Sequence, residues 1–106
     1  MRDEQLERDH RREQANIEEL STYISDSIPS AEVAEAYGSG LGTEPRIIHI
    51  KSRSHRCSVA VDLEPLRDYD WPQLRSRLED QTLIDKINSH TRLRIFSEGG
   101  RVIVTA

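Results

Sequence analysis

Four histidines and one cysteine are the side chains of this 106-residue sequence that could ligate a metal or carry a nucleophile. A zinc site drawn from His49, His55, Cys57 and His90 would have suitable ligand chemistry. The spacing fits no compact zinc motif, because only His55 and Cys57 are close in sequence. Cys57 precedes Val59 and Val61 in a strand-like run, where a cysteine is usually a small buried hydrophobe. The acids Asp62, Glu64, Asp68 and Asp70 do not follow the pattern of a calcium loop. Gly38-Ser39-Gly40-Leu41-Gly42 is glycine-rich, but Pro45 and a strand follow, whereas a phosphate loop leads into a helix. That stretch reads as a hinge. We expect no catalytic residue, no metal site and no cofactor.

The basic residues are more suggestive. The net charge is −4, yet it is unevenly spread: residues 1–36 carry −6, 37–61 carry +3, 62–91 carry −3 and 92–106 carry +2. In Arg46-Ile47-Ile48-His49-Ile50-Lys51 and Cys57-Ser58-Val59-Ala60-Val61-Asp62-Leu63 the apolar period is two, which predicts strands. The polar residues 52–56 between them are short enough for a hairpin. Residues 92–97 and 101–105 predict a second hairpin around Glu98-Gly99-Gly100. If both join one sheet, Ile48, Ile50, Val59, Val61, Leu93, Ile95, Val102 and Val104 face a core. The opposite face then carries His49, Lys51, Ser58, Arg92, Arg94, Phe96, Arg101 and Thr105, with Arg53, His55 and Arg56 in the loop. Cations around an aromatic ring suit single-stranded nucleic acid, whose phosphates pair and whose bases stack. The plainer expectation is a solvated sheet face whose charges discourage aggregation.

The helices must position these strands. Residues 2–15 hold one large apolar side chain, Leu6, among charged and amide residues, with Glu4→Arg8 and Glu7→Arg11 at favourable i,i+4 spacing. They predict a charged arm, helical or disordered, that no core explains. Ile17, Leu20 and Ile24 then form a helical stripe. It serves either as the inward face of a packed helix or as a short intermolecular seam. Pro29 ends this helix, and Ser30 can cap a second short helix over 31–37. Pro65 stops the second strand. Asp70 with Gln73 forms a capping box for the next helix, and Thr82 with Asp85 marks a break and restart near Gln81.

The expected class is therefore α+β, in the order α-α-β-β-α-α-β-β, with two β-hairpins forming an antiparallel sheet separated by one bent helix or two short helices. Residues 1–15 form the arm and 16–106 a single domain hinged at 38–42. The hairpin–helix–hairpin order resembles a β-grasp arrangement, and the final helix–helix–hairpin resembles the end of a winged helix. Neither likeness rests on a signature residue.

The apolar fraction is 35% against 32% charged, so the core is thin and self-association would help it. One cysteine excludes an internal disulfide and fits a reducing compartment. No signal-peptide pattern and no apolar run of about 20 residues is present, so the expected location is cytoplasmic. The functional expectation is a non-enzymatic interaction or regulatory module that self-associates as a homo-oligomer or binds a protein partner, with Leu6, Ile17, Leu20 and Ile24 as contact residues. The alternatives are a nucleic-acid-binding domain using His49, Lys51, Arg53, Arg56, Arg92, Arg94, Phe96 and Arg101, and a small metal protein or enzyme.

Overall fold

The computed structural model describes residues 2–36 and 44–106; the expected hinge at 38–42 lies outside the described residues. The chain opens with a long helix, α1 (Arg2–Ser27). Ile17, Leu20 and Ile24 fall on one face of it and are fully buried. A turn follows Pro29's predicted stop, closed by the Ala31 N–H donating to the Ile28 carbonyl at 2.9 Å.

The chain then enters a strand, β1 (Glu32–Ala36), and not the second short helix expected over 31–37. Glu and Ala favour helix in isolation, but β1 pairs antiparallel with β2 (Arg46–Lys51), Val33 opposite Ile50 and Glu35 opposite Ile48. Pairing along a sheet edge overrides the local preference. β2 forms the expected hairpin with β3 (Arg56–Val61). Helices α2 (Leu63–Asp68), α3 (Trp71–Asp80) and α4 (Leu83–Ser89) come next, then the hairpin of β4 (Arg92–Glu98) and β5 (Arg101–Thr105).

The α+β class stands, with two corrections inside it. The sheet has five strands in chain order, and β3 and β4 pair parallel, so it is mixed and not wholly antiparallel. The cause is the helical crossover: a strand that returns over a layer of helices comes back in its original direction. The second correction is α2, which starts directly after β3. Pro65 lies in its first turn, where a missing N–H costs no helical bond.

The capping box at Asp70 and Gln73 is present, with the Gln73 N–H donating to the Asp70 side chain at 3.1 Å. The break at Gln81 is also present, but Thr82 does not cap through its side chain. It sits in the left-handed region at φ 53° and ψ 47°. Gly99 and Gly100 have φ of 58° and 76°. Both central residues of a type I′ hairpin turn need such angles, which glycine adopts without strain.

All four helices lie on one side of the sheet. Leu66, Leu74, Leu78, Leu83 and Ile87 join the α1 stripe and the inward strand residues in one core. The eight residues expected to face inward from the two hairpins are all buried. No described helix is long and apolar enough to cross a membrane.

Candidate functional site

Because the helices occupy one side, the other side of the sheet is open among the described residues. Strand registers arrange it in rows. At one end Glu32, Lys51 and Arg56 stand side by side. The next row is Ala34, His49, Ser58 and Arg92, and the middle row is Ala36, Ile47, Ala60, Arg94 and Thr105. Beyond it Phe96 pairs with Ile103, and Glu98 with Arg101. The apolar members Ala36, Ile47, Ala60, Phe96 and Ile103 are half-buried, whereas the charged ones are exposed.

The expected basic residues do not form one surface. Lys51, Arg53, Arg56 and Arg92 gather at the β2–β3 hairpin end, with His49 Nδ1 3.0 Å from Ser58 Oγ. Lys51 and Arg56 are directly opposite each other, an unfavourable register for like charges. Arg101 stands at the far end, in register with Glu98. Arg94 is committed elsewhere. Its Nε and Nη2 donate to the two Asp62 carboxylate oxygens at 3.3 and 2.8 Å, which holds the guanidinium's pKa above its ordinary value. The same guanidinium lies over the Phe96 ring, 4.9 Å from its centroid. The ring face expected to stack a base is therefore occupied by Arg94.

A second polar constellation was not anticipated. Glu13 is only 4% exposed and Asn16 only 2%. The Glu13 carboxylate accepts from Arg46 Nη1 at 2.7 Å and from Arg67 Nη2 at 2.9 Å. Arg46 also pairs with Glu35 and donates to Gln14. Asn16 Nδ2 donates to the Leu66 and Tyr69 carbonyls at 2.8 and 2.7 Å. The cluster ties α1 to β1, β2 and α2. Its charges are mutually matched, which suits a structural clamp better than a reactive group. The sequence did carry a signal. Glu13 is four residues before Ile17 on the same helical face, and Arg46 shares the parity of Ile48 and Ile50.

Of the expected contact residues, Ile17, Leu20 and Ile24 lie in the chain's own core, while Leu6 on the arm is 62% exposed. The arm itself is helical, with Glu7 and Arg11 paired at 3.6 Å.

One edge of the sheet is partly guarded. On β5 the Val104 N–H donates to Gln81 Oε1 at 3.3 Å, and Lys86 Nζ donates to the Val104 carbonyl at 3.0 Å. These side chains occupy the groups that an added strand would use. On β1 Glu35 points inward and is already paired with Arg46.

The histidines and cysteine stand apart in role. His55 Nε2 lies 2.8 Å from both the Ile87 and His90 carbonyls, which places its proton on that nitrogen. Cys57 is buried on the core side, and burial pushes its thiol pKa up. Among the described residues no three His, Cys, Asp or Glu side chains converge on a metal-sized point. No protein family, curated protein or solved structure matches this chain.

Proposed function

We propose that this protein is a non-enzymatic interaction module that self-associates through the open face of its sheet. The carrying observation is the face left uncovered among the described residues, with Ile47, Ala60, Phe96 and Ile103 half-buried among charges. These partly covered apolar side chains, on two adjacent rows, are stabilised further by removal from water. With the β5 edge occupied at Val104, the face offers a partner the larger free surface.

Light scattering across a concentration series tests this. The full chain should approach twice its monomer mass of 12.2 kDa as concentration rises. Ile47→Lys, on the middle row, should hold it at monomer mass. A wild-type chain that stays monomeric throughout refutes the reading.

A second reading has its own observation. Lys51, Arg53, Arg56 and Arg92 make no ion pair with a described residue. Such cations suit the phosphates of single-stranded nucleic acid. Titration with a labelled oligothymidylate at rising salt should then show affinity falling steeply, and no binding at low salt removes the idea.

A further inference from the structure

At the β2–β3 hairpin end of the open face, three strands present cations around one serine. Lys51, Arg56 and Arg92 are exposed, and neither they nor Glu32 beside Lys51 are in an ion pair with a described residue. Lys51 and Arg56 stand directly opposite each other, so the empty corner carries a repulsion that a bound anion would relieve. Ser58 is on the same face, two residues along β3 from Arg56, and is in register with His49 on one side and Arg92 on the other. Strands about 4.8 Å apart, with same-face residues about 6.6 Å apart along each, place Arg56 and Arg92 about 8 Å from each other with Ser58 at the corner between them. Long side chains from β2, β3 and β4 are thus within reach of one point above Ser58. A hollow lined by His49, Lys51, Arg56 and Ser58 opens there.

Neutral donors are present as well. His49 Nδ1 and Ser58 Oγ are 3.0 Å apart. A neutral imidazole and a hydroxyl hold two protons between them, and their mutual bond uses one. In either tautomer the other proton is left to donate, from His49 Nε2 or from the Ser58 hydroxyl.

We propose that this corner binds a phosphate monoester, either a small phosphate ester or the terminal phosphate of a nucleic-acid strand. A monoester carries a charge of about −2 near neutral pH and three acceptor oxygens, which matches several cations and a hydroxyl converging on one point. A backbone phosphodiester carries one charge, and its chain must continue in both directions. The face does not support such a track. The next row is Ala36, Ile47 and Ala60, with Arg94 held by Asp62, and Arg101 stands at the far end in register with Glu98. A strand as the source of the phosphate rests on the nucleic-acid reading above; the monoester site itself does not.

Thermal melting of the full chain in sodium phosphate, against sodium chloride of equal ionic strength, tests the site. Wild type should gain about 4 °C, saturably, and Arg56→Ala/Arg92→Ala should gain none of this specific part. Both arginines are exposed and unpaired, and Arg56→Ala removes a like charge opposite Lys51, so the variant should melt in chloride no lower than wild type. Arg92→Gln, which keeps a long polar side chain in place of the charge, is the second variant and should halve the gain or better. Equal gains in wild type and both variants would be the general stabilisation that excluded anions give any fold, and would overturn the site. The source is read from labelled oligothymidylate bearing a 5′-phosphate or a 5′-hydroxyl. A strand end in the site predicts about tenfold tighter binding of the phosphorylated form, lost in Arg56→Ala/Arg92→Ala. A specific melting gain with no such preference supports the site and assigns it to a small phosphate ester. Equal binding of the two strands with no specific gain overturns the site and leaves the nucleic-acid reading standing. Binding of neither strand with no specific gain overturns both.

Discussion

Arg46 is the charged residue on which most of the fold's polar order depends. Its side chain is 11% exposed and holds Glu13 and Glu35 together. Arg46→Met should cost about 3 kcal/mol in chemical denaturation, since it strands the poorly hydrated Glu35 carboxylate and leaves Glu13 to Arg67 alone. Two residues point the other way. Ser97 Oγ is buried with no hydrogen-bond partner, so Ser97→Ala should be neutral or stabilise by up to about 1 kcal/mol. Thr82 is β-branched at φ 53°, and Thr82→Gly should raise stability by about 1 kcal/mol by relieving that strain. Cys57 gives a pH dependence. Burial raises its thiol pKa, so the folded state favours the neutral form. Stability is undiminished well below about pH 8.5, the ordinary thiol pKa, where folded and unfolded thiols are both protonated, and falls as pH rises through that value. Burial also raises the Tyr23 phenol, with Glu79 adding to the shift, which extends the loss to higher pH. Urea melts across this range should show a shallower alkaline decline for Cys57→Ala than for wild type. At this scale the inward strand residues were legible because strict alternation sets their side. The Glu13–Arg46–Glu35 clamp was not, because charged residues are ordinarily assigned to the surface, although the helical spacing from Ile17 and the parity of Ile48 pointed both side chains inward.

At the scale of elements, helix α1 changes character along its length. From Glu4 to Arg12 its side chains are mostly exposed, and from Glu13 onward one face is packed. A chain lacking residues 2–11 should therefore melt within about 1 kcal/mol of the full chain, since it loses solvated surface alone. Removal through residue 16 should unfold it, because Glu13 and Asn16 go too. Thermal denaturation of the two truncations separates these outcomes. Leu20→Ala, in the packed half, should cost about 3 kcal/mol. The α1 stripe, both hairpins, the Asp70 capping box and the break at Gln81 were readable because each rests on local chemistry or a clear period. β1 was not. Its five residues, Glu-Val-Ala-Glu-Ala, have helical composition, and only the β2 edge makes them a strand. The parallel junction of β3 with β4 was equally hidden, since it follows from where three short helices return the chain and not from either hairpin.

At the scale of the molecule, four helices cover one side of a sheet whose other side is open among the described residues, with Lys51, Arg53, Arg56 and Arg92 gathered at one end. On the proposed reading, the single helical layer and the half-buried Ile47 and Ala60 favour association through that face. Ile47 is the most direct probe. It sits at the centre of the face, outside the core, so a charge there should disturb association without disturbing the fold. The decisive measurement is sedimentation equilibrium of wild type and Ile47→Lys at equal concentration and low salt, with circular dichroism confirming that both are folded. Wild type should be a concentration-dependent dimer and Ile47→Lys a folded monomer. Identical masses for the two folded proteins would contradict self-association through this face.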